Sequence, residues 1–226
     1  MIEERPDRVF VDICCPRCGA RNKYEIFEEI QSDINLRAKQ LLLDGRLFEY
    51  NCERCGFVTD APYEMFYYDA KYNALIYFIE PSEVESVCMI MNETVKNVKM
   101  EWSELITNCQ KRVVYHPRIL QEKAKMFAMC MDDRVVEIVK VACMDKVCWD
   151  GLSPNKYMLF DMQDGAYRFK LFIDGTFTTI DFPYNIYEHI KEKFRNVLED
   201  NQDYIIDRNW AIDFMKKYKI ADTFVK

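Results

Sequence analysis

Four cysteines in the first quarter of the chain have the spacing of metal ligands. They lie in two CxxCG motifs, CPRCG at residues 15–19 and CERCG at residues 52–56. A two-residue spacer lets two thiolates on one tight turn reach the same ion, and zinc takes four such ligands in a tetrahedron. The glycine that ends each motif suits a turn with a positive φ. We therefore predict one structural zinc ion. Its predicted ligands are Cys15, Cys18, Cys52 and Cys55.

The ligand set of this predicted site argues against catalysis at the metal. A catalytic zinc keeps an open coordination position and usually has a histidine ligand, whereas four cysteines close the shell. The alternatives to a metal are thiols packed in a core and a redox pair. A redox CxxC usually begins a helix in a thioredoxin-like setting, but strand-like residues precede both motifs. Cys14 is one residue too far from Cys18, so we interpret it as a strand residue.

Short strands and one helix are predicted to position the thiols. Residues 9–29 have the pattern of a hairpin with the first motif at its turn, and residues 47–59 repeat this strand–knuckle–strand arrangement. Between them, Ser32-Asp33 resembles a helix N-cap and Gly45 a helix end. We therefore predict a helix over residues 33–43. Its predicted apolar stripe is Leu36, Leu41 and Leu42.

The rest of the chain is predicted to contain helices and a second group of strands. Three runs rich in β-branched and aromatic residues are separated by Asp164-Gly165 and Asp174-Gly175, and Asp-Gly is a strong tight-turn signal. These runs predict a three-stranded antiparallel meander. The other predicted elements are strands at 63–69, 75–79 and within 112–117, and helices at 82–95, 117–131, 132–151, 183–199 and 207–218.

These elements predict an α+β fold. Its parts would be an N-terminal zinc-ribbon-like β module with a short inserted helix, a helical middle, and the C-terminal meander followed by two helices. We place a nominal domain boundary before Ser82, which separates the zinc-ribbon-like module at residues 1–81 from an α+β lobe at residues 82–226.

Composition favours a folded cytoplasmic protein. Of the 226 residues, 50% are hydrophobic and 14% aromatic, well above the level of a disordered chain. No run approaches the roughly 18 apolar residues that span a bilayer, and the charged N-terminus lacks the apolar core of an export signal. Ten cysteines without an export signal indicate a reducing compartment, where thiols are metal ligands or buried residues.

The charge balance counts against nucleic acid as the partner. The net charge is −7, and residues 1–80 carry 10 basic and 15 acidic side chains. Phosphate binding depends on clustered lysine and arginine. A local basic patch is still possible because four basic residues lie at or near the knuckles. They are Arg17, Arg21, Lys23 and Arg54.

The knuckles and the segments around them resemble a known family, the bacterial and archaeal CpXC proteins. The similar segments include GRLFEYNCERCG, MFYYDAKYNALIYFIEP and RVVYHPRILQEKAKMFAMCMDDRVVEIVK, and together they span roughly residues 10–145. Glu53 departs from the pattern, because the first knuckle has Pro16 at the equivalent position. The family has no assigned activity, so the resemblance implies the four cysteine ligands and nothing catalytic.

Other reactive side chains are interpreted as structural. His116 and His189 have no neighbouring nucleophile with an orienting acid, so no catalytic triad is predicted. The sequence Asp132-Asp133-Arg134 is interpreted as a helix N-cap rather than a pair of catalytic carboxylates. Five further cysteines are interpreted as buried apolar residues, with a second metal site among them as the alternative. They are Cys88, Cys109, Cys130, Cys143 and Cys148.

Three classes of function are compatible with these observations. We favour a non-enzymatic protein-interaction or adaptor protein with another protein as its partner. An immunity or inhibitor-like factor would fit the acidic charge. The alternative is a nucleic-acid-binding zinc-ribbon protein, and the third class is an enzyme with an unrecognised site. The partner, the oligomeric state and the role of the meander are not predicted.

Overall fold

The computed structural model describes residues 8–96, 109–146, 156–163, 165–173 and 175–220. Within these ranges the fold is α+β, as predicted, with a strand-rich N-terminal region and a C-terminal three-stranded sheet followed by helices. The chain divides into two compact units, Met1–Ala124 and Lys125–Lys226. A compact unit is not the same as an independently folding domain, so the boundary before Ser82 stays a prediction.

Two antiparallel ribbons carry the cysteine motifs. β1 (Arg8–Cys14) pairs with β2 (Arg21–Phe27), and β4 (Glu49–Asn51) pairs with β5 (Val58–Asp60). Each motif forms the turn between its two strands, which confirms the predicted strand–knuckle–strand arrangement. The first four side chains of β2 alternate between exposed and buried positions. This period of two is typical of a strand with one covered face.

A four-stranded mixed sheet forms the core of the first unit. Its strands are β3 (Glu29–Gln31), β6 (Met65–Asp69), β7 (Ala74–Phe78) and β8 (Gln110–Val114), in that order across the sheet. β6 and β7, the predicted aromatic pair, run antiparallel at its centre, and β3 and β8 run parallel to their neighbours. Most side chains of β6 and β7 are buried, as expected for strands in the middle of a covered sheet.

α1 (Leu36–Leu43) begins three residues later than predicted. Its N-cap is Asn35 rather than the Ser32-Asp33 pair. The Ser32 hydroxyl instead accepts a hydrogen bond from the backbone N–H of Ala70 at 3.1 Å. Ser32 therefore joins this segment to the turn after β6, and that contact replaces the capping role that its sequence position suggested.

The end of α1 agrees with the prediction, and its apolar face agrees in part, because Leu42 is buried as predicted and Leu36 is not. Gly45 has a φ of 73° and donates to the carbonyl of Leu42 at 3.0 Å, which is typical of a glycine that terminates a helix. The prediction that Leu36 is a core residue is wrong, because 65% of its surface is exposed. The buried residues are Ala38 and Leu42, and Leu36 lies about 200° around the helix from Ala38.

Three further helices form the predicted helical middle. α2 (Val84–Lys96) follows a short 3-10 turn, α3 spans Pro117–Ala128, and α4 spans Asp133–Lys146. α3 ends before the predicted limit because Cys130 has a φ of 56°, which is incompatible with a continuing helix. The predicted extension of α4 to residue 151 lies outside the described residues.

The predicted meander is confirmed. β9 (Lys156–Gln163), β10 (Ala166–Ile173) and β11 (Thr176–Asp181) form an antiparallel sheet in the order β11-β10-β9. Gly165 and Gly175 have φ values of 77° and 86° in the two turns, the conformation that explains glycine there. The buried side chains of the sheet include Met158, Phe160, Phe169 and Leu171.

The C-terminal helices differ from the prediction in one respect. The helix predicted over residues 183–199 is interrupted at Phe194, where φ is −108°, and forms α5 (Tyr184–Lys193) and α6 (Arg195–Glu199). The last predicted helix is confirmed as α7 (Arg208–Lys217). Among the helices in the described ranges, none combines the length and the apolar character needed to cross a membrane.

The start of α4 is held by a buried network, and Asp132 is its N-cap, as predicted. The Asp132 carboxylate accepts from the backbone N–H of Arg134 at 3.0 Å and from two guanidinium nitrogens of the same residue at 2.9 and 2.7 Å. Arg134 also donates to the carbonyl of Leu198 in α6. The backbone N–H of Asp132 donates to the hydroxyl of Tyr187 in α5 at 2.8 Å. One acid and one base thus join three helices.

The buried carboxylate of Asp161 on β9 should make the stability of the second unit depend on pH. Its carboxylate, 5% exposed, accepts hydrogen bonds from Lys125, at 2.6 Å, and from Lys170. Burial acts to raise the pKa of Asp161, but the two lysines outweigh burial and hold the pKa below its usual range. A carboxyl with a lowered pKa stabilises the fold above about pH 4, and this stabilisation is lost as pH falls through the folded-state pKa.

We therefore expect Asp161→Asn to lower the free energy of unfolding by about 1–3 kcal/mol at pH 7. The difference between variant and wild type should shrink as pH falls below about 4 toward the lowered pKa of Asp161, because the wild-type carboxylate then becomes protonated. Urea unfolding at several pH values measures this. Asp213→Asn is the control, since that carboxyl is largely exposed. A difference that does not change with pH would contradict the assignment.

Candidate metal centre

The two CxxCG motifs adopt the same backbone conformation. In each, the glycine N–H donates to the carbonyl of the first cysteine, at 2.9 Å between Gly19 and Cys15 and at 2.8 Å between Gly56 and Cys52. The N–H of each first cysteine donates to the carbonyl five residues later, at 2.9 Å in both motifs. Both glycines have positive φ, 66° and 65°, as their position predicts. Each knuckle therefore presents its two thiols in the same way.

The ribbons bring the four predicted thiols together. The Sγ atoms of Cys15 and Cys55 are 3.7 Å apart, as are those of Cys18 and Cys52, and all four lie within 4.8 Å of one another. Four sulfurs at about 2.3 Å from a central zinc would be ~3.8 Å apart. The observed separations are too long for disulfides, in which sulfurs are about 2.0 Å apart. The geometry fits one ion shared by both knuckles.

Neighbouring thiols of the cluster affect one another's pKa values. Burial acts to raise the pKa of Cys52, but amide N–H groups of Cys55 and Arg54 outweigh it and lower the pKa to about 6. The amide of Phe57 acts to lower the pKa of Cys55, but burial and the neighbouring thiols raise it to about 12. One thiolate thus opposes the ionisation of its neighbour through charge repulsion, and a bound divalent cation would offset this repulsion.

Asn22 links the two knuckles, and the sequence analysis did not identify it. This residue on β2 is buried, and its side-chain nitrogen donates to the hydroxyl of Tyr50 at 2.7 Å and to the Sγ of Cys52 at 3.7 Å. Its side-chain oxygen accepts from the N–H of Glu53 at 3.3 Å. This explains the departure at Glu53, because a proline there would have no N–H to donate. The missing proline was the only signal in the sequence.

Aromatic side chains close the space between the two ribbons. The Tyr24 hydroxyl donates to the carbonyl of Ala61 at 3.1 Å, and the Tyr63 hydroxyl accepts from the N–H of Phe27 at 3.1 Å. The Tyr24 and Tyr50 rings meet edge to face, with centroids 6.0 Å apart. Tyr24 and Tyr50 form one buried cluster with Cys15 and Cys52, and the partly buried Tyr63 packs against it. The metal centre therefore has its own small apolar core.

The knuckle glycines are expected to tolerate alanine better than Gly45 does. An added Cβ at Gly19 would meet no atom within 4 Å, so only the left-handed backbone is strained. We expect Gly19→Ala to cost about 1 kcal/mol. At Gly45 the Cβ would lie 2.9 Å from the Gln121 side chain, which donates to the carbonyl of Leu43 at 2.8 Å. We expect Gly45→Ala to cost about 2 kcal/mol or more. Unfolding of the metal-loaded protein measures the loss in the free energy of unfolding for each variant. Equal losses for Gly19→Ala and Gly45→Ala would contradict the geometry.

The structure gives the other candidate residues no shared site. Within the described ranges, the four cysteines are the only group of three or more His, Cys, Asp or Glu residues placed to hold an ion. The Nδ1 of His116 accepts from the backbone N–H of Arg118 at 3.2 Å, at the start of α3. His189 is an exposed residue of α5. Cys109 is buried as predicted, whereas Cys88 and Cys143 are only partly buried and Cys130 is exposed. Cys148 lies outside the described residues.

The fold and the thiol cluster define a class of protein: a two-knuckle, four-cysteine metal-binding protein of the zinc-knuckle type. A family model for CpXC proteins matches residues 13–140, which is more than half of the chain. The chain therefore belongs to the CpXC family, as the knuckles and the segments around them indicated. No match was found among curated proteins or among solved structures.

Proposed function

We propose that the protein is a zinc-stabilised, non-enzymatic interaction protein. Four thiolates in tetrahedral arrangement favour zinc or iron, and a closed shell suits a structural ion better than a catalytic one. Zinc is the ion that we propose. Metal analysis of protein purified without chelator tests this, with about one zinc ion per chain as the expected result. Iron, recognised by its visible absorption, or the absence of any metal would contradict it.

The observation that supports an interaction role is the exposure of large apolar side chains in the segment between the knuckles. Ile34 and Leu36 are 46% and 65% exposed at the start of α1. The adjacent Arg37 donates two hydrogen bonds of 2.9 Å to the carboxylate of Glu25 on β2. This ion pair joins the start of α1 to the ribbon that carries the first knuckle. A partner protein with an apolar patch would bury Ile34 and Leu36.

Affinity capture from cells that express the protein naturally tests this role. We expect a protein partner that is retained by the zinc-loaded protein and lost after metal removal. Leu36→Gln should release it, whereas Met89→Gln should not, because Met89 is also a large, exposed apolar residue but belongs to α2. A partner unaffected by Leu36→Gln, or no partner at all, would contradict the proposal. An inhibitor or immunity factor would be one protein of this kind.

A specific observation supports nucleic acid as the alternative partner. Arg17 and Arg54 occupy equivalent positions in the two knuckles and are exposed, as is Arg21. Lys23 adds less to this patch because it forms a 2.9 Å ion pair with Asp12. If nucleic acid is the ligand, a gel shift should weaken steeply with salt, since each phosphate contact releases counterions. Arg17→Gln/Arg54→Gln should then abolish the shift.

We also propose that the protein acts in the cytoplasm. Among the cysteines in the described ranges, none forms a disulfide, and a thiolate metal centre is maintained most easily in a reducing compartment. Fractionation of cells that express the protein naturally tests the location. Recovery with secreted proteins would contradict it.

A further inference from the structure

β1 has one strand partner, and its opposite edge is open within the described part of the chain. It pairs with β2 along its whole length, and these two strands form a separate sheet. Val9, Phe10 and Val11 are 40%, 56% and 37% exposed, so both faces of the strand are accessible. A strand edge with free backbone groups and three consecutive apolar side chains is a template for pairing with another strand.

The sequence of this edge is complementary to itself. Residues 8–12 are Arg-Val-Phe-Val-Asp. If β1 pairs antiparallel with β1 of a second copy, with Phe10 opposite Phe10, then Val9 lies opposite Val11. The same register sets position 8, an arginine, opposite Asp12, and symmetry repeats this pair at the other end. Opposite charges at directly opposed positions stabilise an antiparallel pair, and like charges destabilise it.

The faces of the strand select this register over its neighbours. Val11 lies opposite Tyr24 of β2 and Asp12 opposite Lys23, so the valines belong to the face of the buried tyrosine and Asp12 belongs to the other face. Opposed residues in a sheet share a face. A shift by one residue would set Val9 opposite Asp12. It would also bring the tyrosine face of one ribbon to the same side of the joint sheet as the other face of the second ribbon. The register centred on Phe10 avoids both problems.

We propose that the partner of this edge is a second copy of the chain, joined through β1 into a four-stranded sheet in the order β2-β1-β1-β2. The contact is isologous, which is the commonest symmetry of protein dimers. Asp12 already pairs with Lys23 at 2.9 Å, so in the dimer it would lie between this lysine and the arginine of the second copy. The inference goes beyond the proposed function and does not depend on another partner.

Two reversed charges provide the test. Sedimentation equilibrium of the purified, zinc-loaded full chain should show a concentration-dependent dimer. Arg8→Asp sets two acids opposite each other at both ends of the contact, and Asp12→Arg sets two bases opposite each other. Each variant alone should raise the dissociation constant about tenfold or more. An equal mixture of the two variants should restore the dimer, because every opposed pair in the mixed dimer again has opposite charges.

Controls separate loss of pairing from loss of folding. Phe10→Ser should also weaken the dimer while leaving the zinc content and the circular dichroism unchanged. Asp12→Arg also loses its pair with Lys23, so the zinc content of both charge variants is checked in the same way. A monomer at all concentrations would overturn the proposal. A dimer that none of the three substitutions weakens, or a mixture that does not reassociate, would overturn it as well.

Discussion

Replacing Cys52 with serine should abolish ion binding at the proposed four-thiol centre and unfold both ribbons. Cys52 is almost completely buried and lies 3.7 Å from Cys18 in the other knuckle. In small zinc domains a structural zinc ion binds with an apparent free energy of about 10–16 kcal/mol. This binding energy stabilises the folded state, because the site does not exist in the unfolded chain. The strands of the second ribbon have only three residues each. A ribbon of this size is not stable by itself in water.

Cys14 provides a matched control for this experiment. Cys14 is exposed, adjoins Cys15, and is not part of the thiol cluster. Cys14→Ser should therefore retain full zinc content and the amide exchange protection of residues 8–60, whereas Cys52→Ser should lose both. Amide hydrogen exchange followed by mass spectrometry and metal analysis of the same samples make the comparison. Full metal content and normal protection in Cys52→Ser would contradict a shared four-thiol centre.

Removing the carboxylate of Asp132 should destabilise the second unit by about 3–5 kcal/mol. Arg134 is 9% exposed and directs two guanidinium nitrogens at this carboxylate. Asp132→Ala removes the carboxylate that pairs with this buried charge and also removes the N-cap of α4, which alone contributes about 1 kcal/mol. Urea unfolding followed by circular dichroism measures the loss.

Two further variants identify the source of this energy. Asp132→Asn keeps a capping oxygen and loses the charge, so it should cost less than alanine but more than 1 kcal/mol. Asp213→Ala removes an exposed carboxyl that lies 3.9 Å from Lys216 on α7, and an exposed pair of this kind contributes about 0–1 kcal/mol. If Asp132→Ala cost no more than Asp213→Ala, the buried network would not be the support of α4 that its geometry indicates.

Local signals in the sequence were sufficient for the metal site and the meander. A CxxCG knuckle forms its own turn, so residue type and spacing alone specify where its thiols point. The Asp-Gly pairs work in the same way, because Gly165 and Gly175 need a positive φ that few other residues adopt. Period-two alternation then defines the strands on either side. These signals depend on neighbours in the sequence and require no knowledge of the tertiary structure.

The predictions from the sequence were wrong or incomplete where contacts with residues distant in the sequence determine the structure. Ser32 has the right type for an N-cap, but its hydroxyl is used by Ala70, 38 positions later. Leu36 has the right type for a core residue, but tertiary packing covers a different face of α1, the one that carries Ala38 and Leu42. Asn22 reaches Cys52, 30 positions away, and no local pattern marks that contact. Single-sequence patterns do not contain such long-range pairings.

The separation of the two knuckles along the chain has a consequence for synthesis. Equivalent positions of the knuckles are 37 residues apart, as Cys15 and Cys52 show. At translation rates of about 5–20 residues per second, roughly 2–7 seconds pass between the making of the first pair of thiols and the second. During that interval the nascent chain carries half a site, which can neither enclose an ion nor be shielded by the second ribbon. If the ion is zinc, as we propose, the supply of zinc during synthesis therefore affects whether the first pair of thiols is protected before the second pair is made.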